Sequence, residues 1–512
     1  MIKIKKKQFI RNGLILTVTS LLIRMISMSF RIYLSDKIGA EGIGLYQLVL
    51  TVYLFFSTIT TSGMCLTVTR LVTDYNARNE PSKAKYVTYK CLVISVIISV
   101  IFGFMLFIFS DFIGTSFLKD ERTVISLKIL APSLPFMAFS SCLRGYFYAG
   151  RKTLQTSGEQ LLEQIIEIGV FIFIFTYFSP NELSYACCAI VAGTTCAEFI
   201  SFFYSLILYL TDSQKQKCKC QKVQHLGRKI LPIALPVTAS SCLRSGLSAI
   251  ENVLIPSGLK KYGADYSGAL SQYGIVSGMA MPVLVFPSVF ILPFATLIIP
   301  EMSQASVEKR KNGIHYMTEK MFHLTLLYSL PIMVIFIFFS DKIGEILYHS
   351  NEAGFYIALL APVVPLMYLD SVVDGILKGL NEQVSYLAYN IIDSVIRVIL
   401  TYILLPKLGI AGVVIVIIVS ELLNTSLSIA RLLKITGIQL MIFDWIIRPL
   451  ICICVPCLFL MLLPNFPSQI FDLIFRIIFC CSFYLCFLYL TKNKSDTPKH
   501  KTSKFLKTKV KT

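Results

Sequence analysis

The sequence predicts an all-α polytopic membrane protein: fourteen transmembrane helices, arranged as two pseudo-symmetric six-helix bundles followed by two further helices. Three observations predict it. Of the 512 residues, 55% are hydrophobic and only 15% are charged, with a mean hydropathy of +0.70, against about 25% charged in a soluble domain. Apolar stretches of membrane-crossing length recur along the whole chain. Lysine and arginine gather in alternate connections between those stretches.

The apolar spans run over 12–34, 44–69, 88–109, 124–147, 160–178, 184–210, 230–255, 269–299, 321–340, 354–377, 385–405, 411–430, 443–463 and 469–490. Each reaches or approaches the ~20 residues that a helix needs to cross the hydrocarbon. The first reads as a retained helix, because it is too long for a signal core and no small-residue cleavage site follows it. The fourth and fifth, which carry charges, match a membrane span least well. Basic clusters fall at Lys3–Lys7, Arg78–Lys85, Arg151–Lys152, Lys215–Lys229, Lys309–Lys311 and Lys492–Lys511. With the N-terminus in the cytoplasm, roughly 33 Lys/Arg occupy inner loops and termini and roughly 7 occupy outer loops, which is the positive-inside pattern. An even number of spans then places both termini inside. The net charge of +19 therefore belongs to membrane-flanking loops. The partner it implies is the lipid bilayer, not nucleic acid.

A repeat divides the chain. Leu130-Ala-Pro-Ser-Leu-Pro-Phe-Met137 matches Leu360-Ala-Pro-Val-Val-Pro-Leu-Met367, and the 230-residue offset goes on to pair Gly145 with Gly375, Glu163 with Asp393 and Glu167 with Arg397. Both copies run in the same direction, six spans apart, so the halves relate by an axis along the membrane normal. The expected organisation is a six-helix lobe over 1–210, a basic cytoplasmic linker over 211–229, a second six-helix lobe over 230–434, two additional helices over 435–490 and a basic cytoplasmic tail over 491–512. The 15 cysteines read neither as disulfides nor as zinc ligands. Most lie in apolar spans, and Cys218 and Cys220 with His225 lack a fourth ligand.

Charge inside the spans carries the functional signal. Arg24 and Arg31 lie in the first span, seven residues apart and so on one helical face, with Thr17, Ser20 and Ser27 on or near that stripe. A charge at bilayer depth costs about 2.5–3.5 kcal/mol on insertion scales. The stripe is therefore expected to face protein or a water-filled cavity, and a cationic cavity suits an anionic cargo. The plainer alternative is snorkelling or silent pairing. The seventh span carries Arg244 and Glu251, again seven apart. Arg244 is expected to approach the axis from the second lobe, so that a pyrophosphate receives charge-assisted bonds from both sides. The alternative pairing of Arg244 with Glu251 is geometrically loose. Asp370, Asp374, Asp393 and Arg397 are the candidates for coupling or gating. Arg144, Glu163, Glu167, Glu198 and Glu421 read mainly as structural charges. Arg448 and Arg476, in the last two spans, are expected to snorkel. The prolines at 132, 135, 232, 236, 282, 287, 293, 362 and 365 permit bends.

Several strings together resemble one family. Ile38-Gly-Ala-Glu-Gly-Ile-Gly-Leu-Tyr-Gln47, Leu130-Ala-Pro-Ser-Leu-Pro135, Leu143-Arg-Gly-Tyr-Phe147, Leu235-Pro-Val-Thr238 and Gly278-Met-Ala-Met-Pro-Val283 followed by Phe286-Pro287 resemble the stage V sporulation protein B and polysaccharide-transporter family. The resemblance covers roughly residues 10–490. It implies membership of the multidrug/oligosaccharidyl-lipid/polysaccharide flippase superfamily, and a two-lobed fold like that of multidrug exporters and lipid II flippases. It further implies an undecaprenyl-pyrophosphate-linked glycan as cargo in a bacterial inner membrane, a role in spore cortex or cell-wall synthesis, and contact with that machinery. Arg24 and Arg31 look like the family's arginine pair for the pyrophosphate. Ser27 stands where relatives often have glycine. No bound cofactor is expected; coupling to H+, Na+ or the membrane potential takes that place.

Other functions fit less well. A cation-coupled multidrug exporter of the same fold uses a carboxylate in its first span, and this span has none before Asp36. A glycan polymerase needs a substantial loop with acid and base residues, and the outer loops are short. A scaffold in the division machinery leaves the buried charges unexplained.

Overall fold

The computed structural model describes residues 2–178, 182–215, 221–438, 441–462, 464 and 466–490. Cys218, Cys220 and the basic tail lie outside the described residues. Those residues are almost entirely helical and contain no β-strand. Eleven helices among them are long and apolar enough to cross a membrane, or twelve when the bent pair Thr123–Leu130 and Ser133–Ala149 counts as one span.

In chain order, α1 (2–38) and α2 (40–77) are the two arms of Ile2–Ala77, joined at Gly39. Then follow α3, Pro81–Phe112; α4, the pair Thr123–Leu130 and Ser133–Ala149; α5, Thr153–Phe178; α6, Leu183–Lys215; and α7, Leu226–Tyr262. The irregular run 266–307 is α8. After it come α9, Lys311–Tyr348; α10, Asn351–Leu360 with Val364–Gly379; α11, Gln383–Leu408; α12, Ile410–Thr436; α13, 443–461; and α14, Gln469–Leu490. The series is compatible with the fourteen expected spans. The 61-residue run Thr17–Ala77 counts once among the eleven, yet at 1.5 Å per residue it measures about 90 Å, three times the hydrocarbon thickness. That length suits two crossings, and the run is broken at Gly39, whose φ of 66° and ψ of −178° make a conformation that side-chain-bearing residues avoid.

The α1–α2 pair packs on α4 and α5 and, across the molecule, on α7 and α8. In the second half α11 packs on α7 and α12, and α10 on α8 and α9. The repeat is visible in these contacts. Gly145 of α4 lies so close to α2 that an added Cβ would sit 2.5 Å from the carbonyl oxygen of Cys65, and Gly375 of α10 would meet the carbonyl of Ala295 in α8 at 2.4 Å. Both members of the second pair stand 230 residues after those of the first. The double prolines break matching helices: α4 bends by 44° between its two parts, and α10 passes through a short 3-10 turn at Ala361–Val363.

The apolar core includes Leu45, Val49, Leu134, Tyr273, Leu284, Val364 and Tyr368, all essentially buried. Ile97, Ile101, Phe104 and Ile108 of α3 are exposed, as a lipid-facing surface requires. The helices α13 and α14 pack on each other and on α9. Here one expectation is corrected. Arg476 does not snorkel; it is 3% exposed. Its Nε donates to both carboxylate oxygens of Asp472, at 2.9 and 2.8 Å. Lys342 of α9 joins the same carboxylate, and Arg476 also donates to the carbonyls of Leu460 and Pro464. An aspartate one turn earlier supplies the counter-charge that hydrocarbon lacks. Arg448 likewise donates inward, to the carbonyl of Leu488 at 3.2 Å.

Candidate functional site

The arginine face of α1 meets the least regular helix of the protein. Within α8 a π-helical stretch, Gly274–Ala280, is followed by Pro282 and Pro287 and a 3-10 turn at Phe286–Phe290. Proline removes a backbone donor and loosens the ladder around it. Two tyrosines occupy carbonyls there: Tyr368 donates to Leu284 at 2.9 Å and Tyr328 to Pro287 at 2.8 Å. Between this stretch and α1 lies a cavity of about 330 Å³, with Arg24, Ser27, Met28 and Arg31 on one wall and Ser277, Met281, Val285 and Phe286 on the other.

Arg24 also borders a second cavity of about 310 Å³ inside the first half, together with Ser20, Arg144, Glu163, Gln164 and Glu167. Hydrogen bonds tie its walls. Ser27 donates to Gln164 at 2.6 Å, Gln164 to Glu167 at 3.1 Å, and Thr194 of α6 to Glu167 at 2.9 Å. Arg144 stands 3.7 Å from Glu159, which also accepts from Ser201. The arginines of α1 differ from Arg144. Both are half-buried, and neither makes an ion pair or a side-chain hydrogen bond among the described residues. Their donors are unspent.

Glu251 is buried and paired with Arg397 of α11 at 2.8 Å, not with Arg244. Arg244 is exposed and borders neither arginine cavity; it lies within electrostatic reach of Asp374 and Tyr386. Asp370 accepts from Asn424 at 3.2 Å and Asp393 from Ser420 at 2.5 Å. One oxygen each of Asp370 and Asp374 is buried without a partner among the described residues. These acids sit between α10, α11 and α12, as Glu159, Glu163, Glu167 and Glu198 sit on α5 and α6 beside Arg144 of α4. Sequence reasoning did not anticipate the third cavity, of about 250 Å³, where Gln47, Asn252 and Ser277 join Glu251 and Arg397. Its uncharged members, Gln47, Asn252 and Ser277, come from three different helices, so no spacing along the chain links them.

The halves are also tied at the end where α1 turns into α2. Arg122 donates to Glu41 at 2.8 Å and pairs with Asp120 at 2.8 Å, while Ser267 at the start of α8 donates to Glu41 at 2.7 Å.

Repeat-related helical halves, with two arginines bordering a cavity between membrane-length helices, define the architecture of a polytopic membrane protein. The chain belongs to the family described as polysaccharide biosynthesis protein, whose family model matches residues 9–306; a second model, MatE, matches 265–403. It is 27% identical over 450 residues to stage V sporulation protein B of Bacillus subtilis (strain 168), covering 86% of each chain. Among solved structures it resembles lipid II flippase MurJ in an inward closed conformation, with TM-score 0.72, 14% identity and coverage of 92% of this chain and 97% of that one. It also resembles an inward-facing multidrug resistance MATE family transporter of the MOP superfamily, with TM-score 0.64, 14% identity and coverage of 82% and 98%. The chain is thus a polytopic membrane protein of the polysaccharide biosynthesis family, a family of transporters rather than enzymes, and it shares the fold of a lipid II flippase and of MOP-superfamily transporters.

Proposed function

We propose that this protein flips an undecaprenyl-pyrophosphate-linked saccharide, such as lipid II or a related wall precursor, across a bacterial inner membrane, with both termini in the cytoplasm. The observation that carries the reading is the pair Arg24 and Arg31, unpaired on one face of α1 and bordering the cavity shared with α8. A pyrophosphate cannot enter hydrocarbon unaided, whereas a polyprenyl chain is already soluble there. The headgroup travels through the cavity against the arginines, and the tail stays in the bilayer beside α1 and α8. The halves 1–210 and 230–434 rock about the site. Coupling to H+, Na+ or the membrane potential would act through intramembrane charged groups, with Asp370, Asp374, Asp393 and Arg397 as the candidates for coupling or gating. Homology to a sporulation protein supports a role in spore cortex or cell-wall synthesis. A cationic wall repels the cationic drugs that a multidrug exporter carries.

The test is transport of lipid II in vesicles holding the purified protein. Arg24→Ala is expected to lower the flipping rate by about tenfold or more, the loss of a charge-assisted bond of about 1.5–3 kcal/mol. Arg24→Lys restores part of it, since lysine keeps the charge and loses the fork. Full-rate flipping by an Arg24→Ala/Arg31→Ala double variant would overturn the reading.

A further inference from the structure

The arginine cavity has a neighbour of different chemistry. Ser277 and Met281 of α8 border both it and the third cavity, of about 250 Å³. The first offers two unpaired guanidinium groups. The second holds one carboxylate and one guanidinium locked together: Arg397 Nη2 and Nε stand 2.8 and 3.0 Å from the same oxygen, Oε1 of Glu251. Its charge is therefore balanced from within, and it has nothing to offer a second phosphate.

What it offers instead is unspent hydrogen-bonding capacity. Gln47 and Ser277 make no side-chain hydrogen bond among the described residues. Asn252 gives one N–H to Thr51 at 3.2 Å and keeps its carbonyl oxygen. Oε2 of Glu251 is not used by Arg397. Donors and acceptors of this kind, in fixed positions and without net charge, suit a neutral polyhydroxylated group. They do not suit an isoprenoid, which would leave them unsatisfied at a cost. The volume equals about eight waters at about 30 Å³ each, the scale of one sugar ring.

We propose that this chamber is a sugar subsite. Given the cargo proposed above, on which this inference rests, it takes the first sugar ring attached to the pyrophosphate. The phosphates lie against Arg24 and Arg31, and the ring passes beyond Ser277 into the second half. Gln47, Asn252 and Ser277 hold its hydroxyl and amide groups, and Glu251 Oε2 accepts from a ring hydroxyl. The chamber distinguishes a glycosylated carrier from the bare one.

The experiment compares two probes on the full-length protein in nanodiscs: undecaprenyl pyrophosphate, and the same lipid bearing one N-acetylglucosamine residue. The wild type is expected to bind the glycosylated lipid about tenfold more tightly, the equivalent of one to two net hydrogen bonds. Gln47→Leu and Asn252→Leu each bring the ratio of the two affinities towards one. Equal affinity of the wild type for both lipids, or an undiminished ratio in both variants, overturns the subsite and leaves the cargo reading standing. If neither lipid binds the wild type, the cargo reading falls and the subsite falls with it. The wild-type ratio decides even where a variant fails to fold.

Discussion

Gly44 of α2 and Gly274 of α8 pack on one another's helix, each against the carbonyl four residues before the other. A Cβ on Gly44 would lie 2.2 Å from the carbonyl oxygen of Leu270, and one on Gly274 would lie 2.0 Å from that of Ala40. All four positions obey the 230-residue offset, so the pseudo-two-fold axis relating the halves passes between these two helices. Two backbones approach this closely only where neither carries a side chain.

Gly44→Ala and Gly274→Ala are each expected to destabilise the protein by about 1–3 kcal/mol, the usual cost of overpacking a filled site. The double variant should cost less than the sum, because one separation of the helices relieves both collisions. Thermal unfolding in detergent measures this. Gly39→Ala makes a useful contrast. A Cβ there meets nothing within 4 Å, so its cost of about 1–2 kcal/mol is conformational. Strict additivity of the Gly44 and Gly274 variants would contradict the shared contact.

Gly145→Ala and Gly375→Ala test the repeat in another way. Both face a backbone carbonyl, at 2.5 and 2.4 Å from the added Cβ. Equal geometry predicts equal destabilisation, again about 1–3 kcal/mol each. The two sites belong to different halves and share no partner, so here the effects should add.

Part of this architecture was legible in the sequence. The arginines at 24 and 31 announced a cavity because charge in hydrocarbon is rare and a seven-residue spacing fixes a face. The paired prolines at 132/135 and 362/365 announced the repeat because proline interrupts equivalent helices in the same way. Glu251 was legible as a buried charge but not as the partner of Arg397, since that contact joins residues 146 apart. The packing of Gly44 on Gly274 was not legible either, since that contact joins residues 230 apart. For Arg476, a partner one turn away on the same helix was within reach of the sequence, yet Lys342 of α9, the third member, was not.

That triad gives a further prediction. Asp472 is 1% exposed and Arg476 3%. Asp472→Ala removes the buried carboxylate that Arg476 and Lys342 share and should cost about 3–5 kcal/mol. Asp472→Leu combined with Arg476→Met removes the buried pair and should cost less than Asp472→Ala alone. Unfolding midpoints that rank the other way would show that the pair itself stabilises α14 against α9.

Topology is open to a direct check. Lys261 and Arg310, both exposed, flank α8 at opposite ends. A cysteine at Lys261 is expected to react with an impermeant maleimide from outside intact cells. One at Arg310 should react only after the membrane is opened, as the positive-inside pattern requires. Labelling of both from outside would break the fourteen-span arrangement.

The contact of Glu41 with Arg122 and Ser267 joins α2, the α3–α4 connection and the start of α8, and thus both halves, at the end next to Gly39. If the halves rock, this group must part whenever the cavity opens on that side. It is partly exposed: the Arg122 and Glu41 side chains keep 34% and 28% of their surface. An exposed pair is worth about 0.2–1 kcal/mol, and 1 kcal/mol shifts a two-state population by about fivefold. Glu41→Gln loses the charge and weakens the tie without removing its side chain. In a protein whose exposed Cys196, Cys481 and Cys486 are replaced by serine, a cysteine introduced at Ser277 reports the open state. Its labelling from the Glu41 side should rise by up to about fivefold in Glu41→Gln, as should labelling in high salt, which screens the pair. Because the tie belongs to one end of the cycle, labelling of the same cysteine from the opposite side should fall in the same variant. A Glu41→Gln protein whose Ser277→Cys labelling is unchanged from both sides would show that the halves do not separate at this contact, and the rocking motion would have to be placed elsewhere.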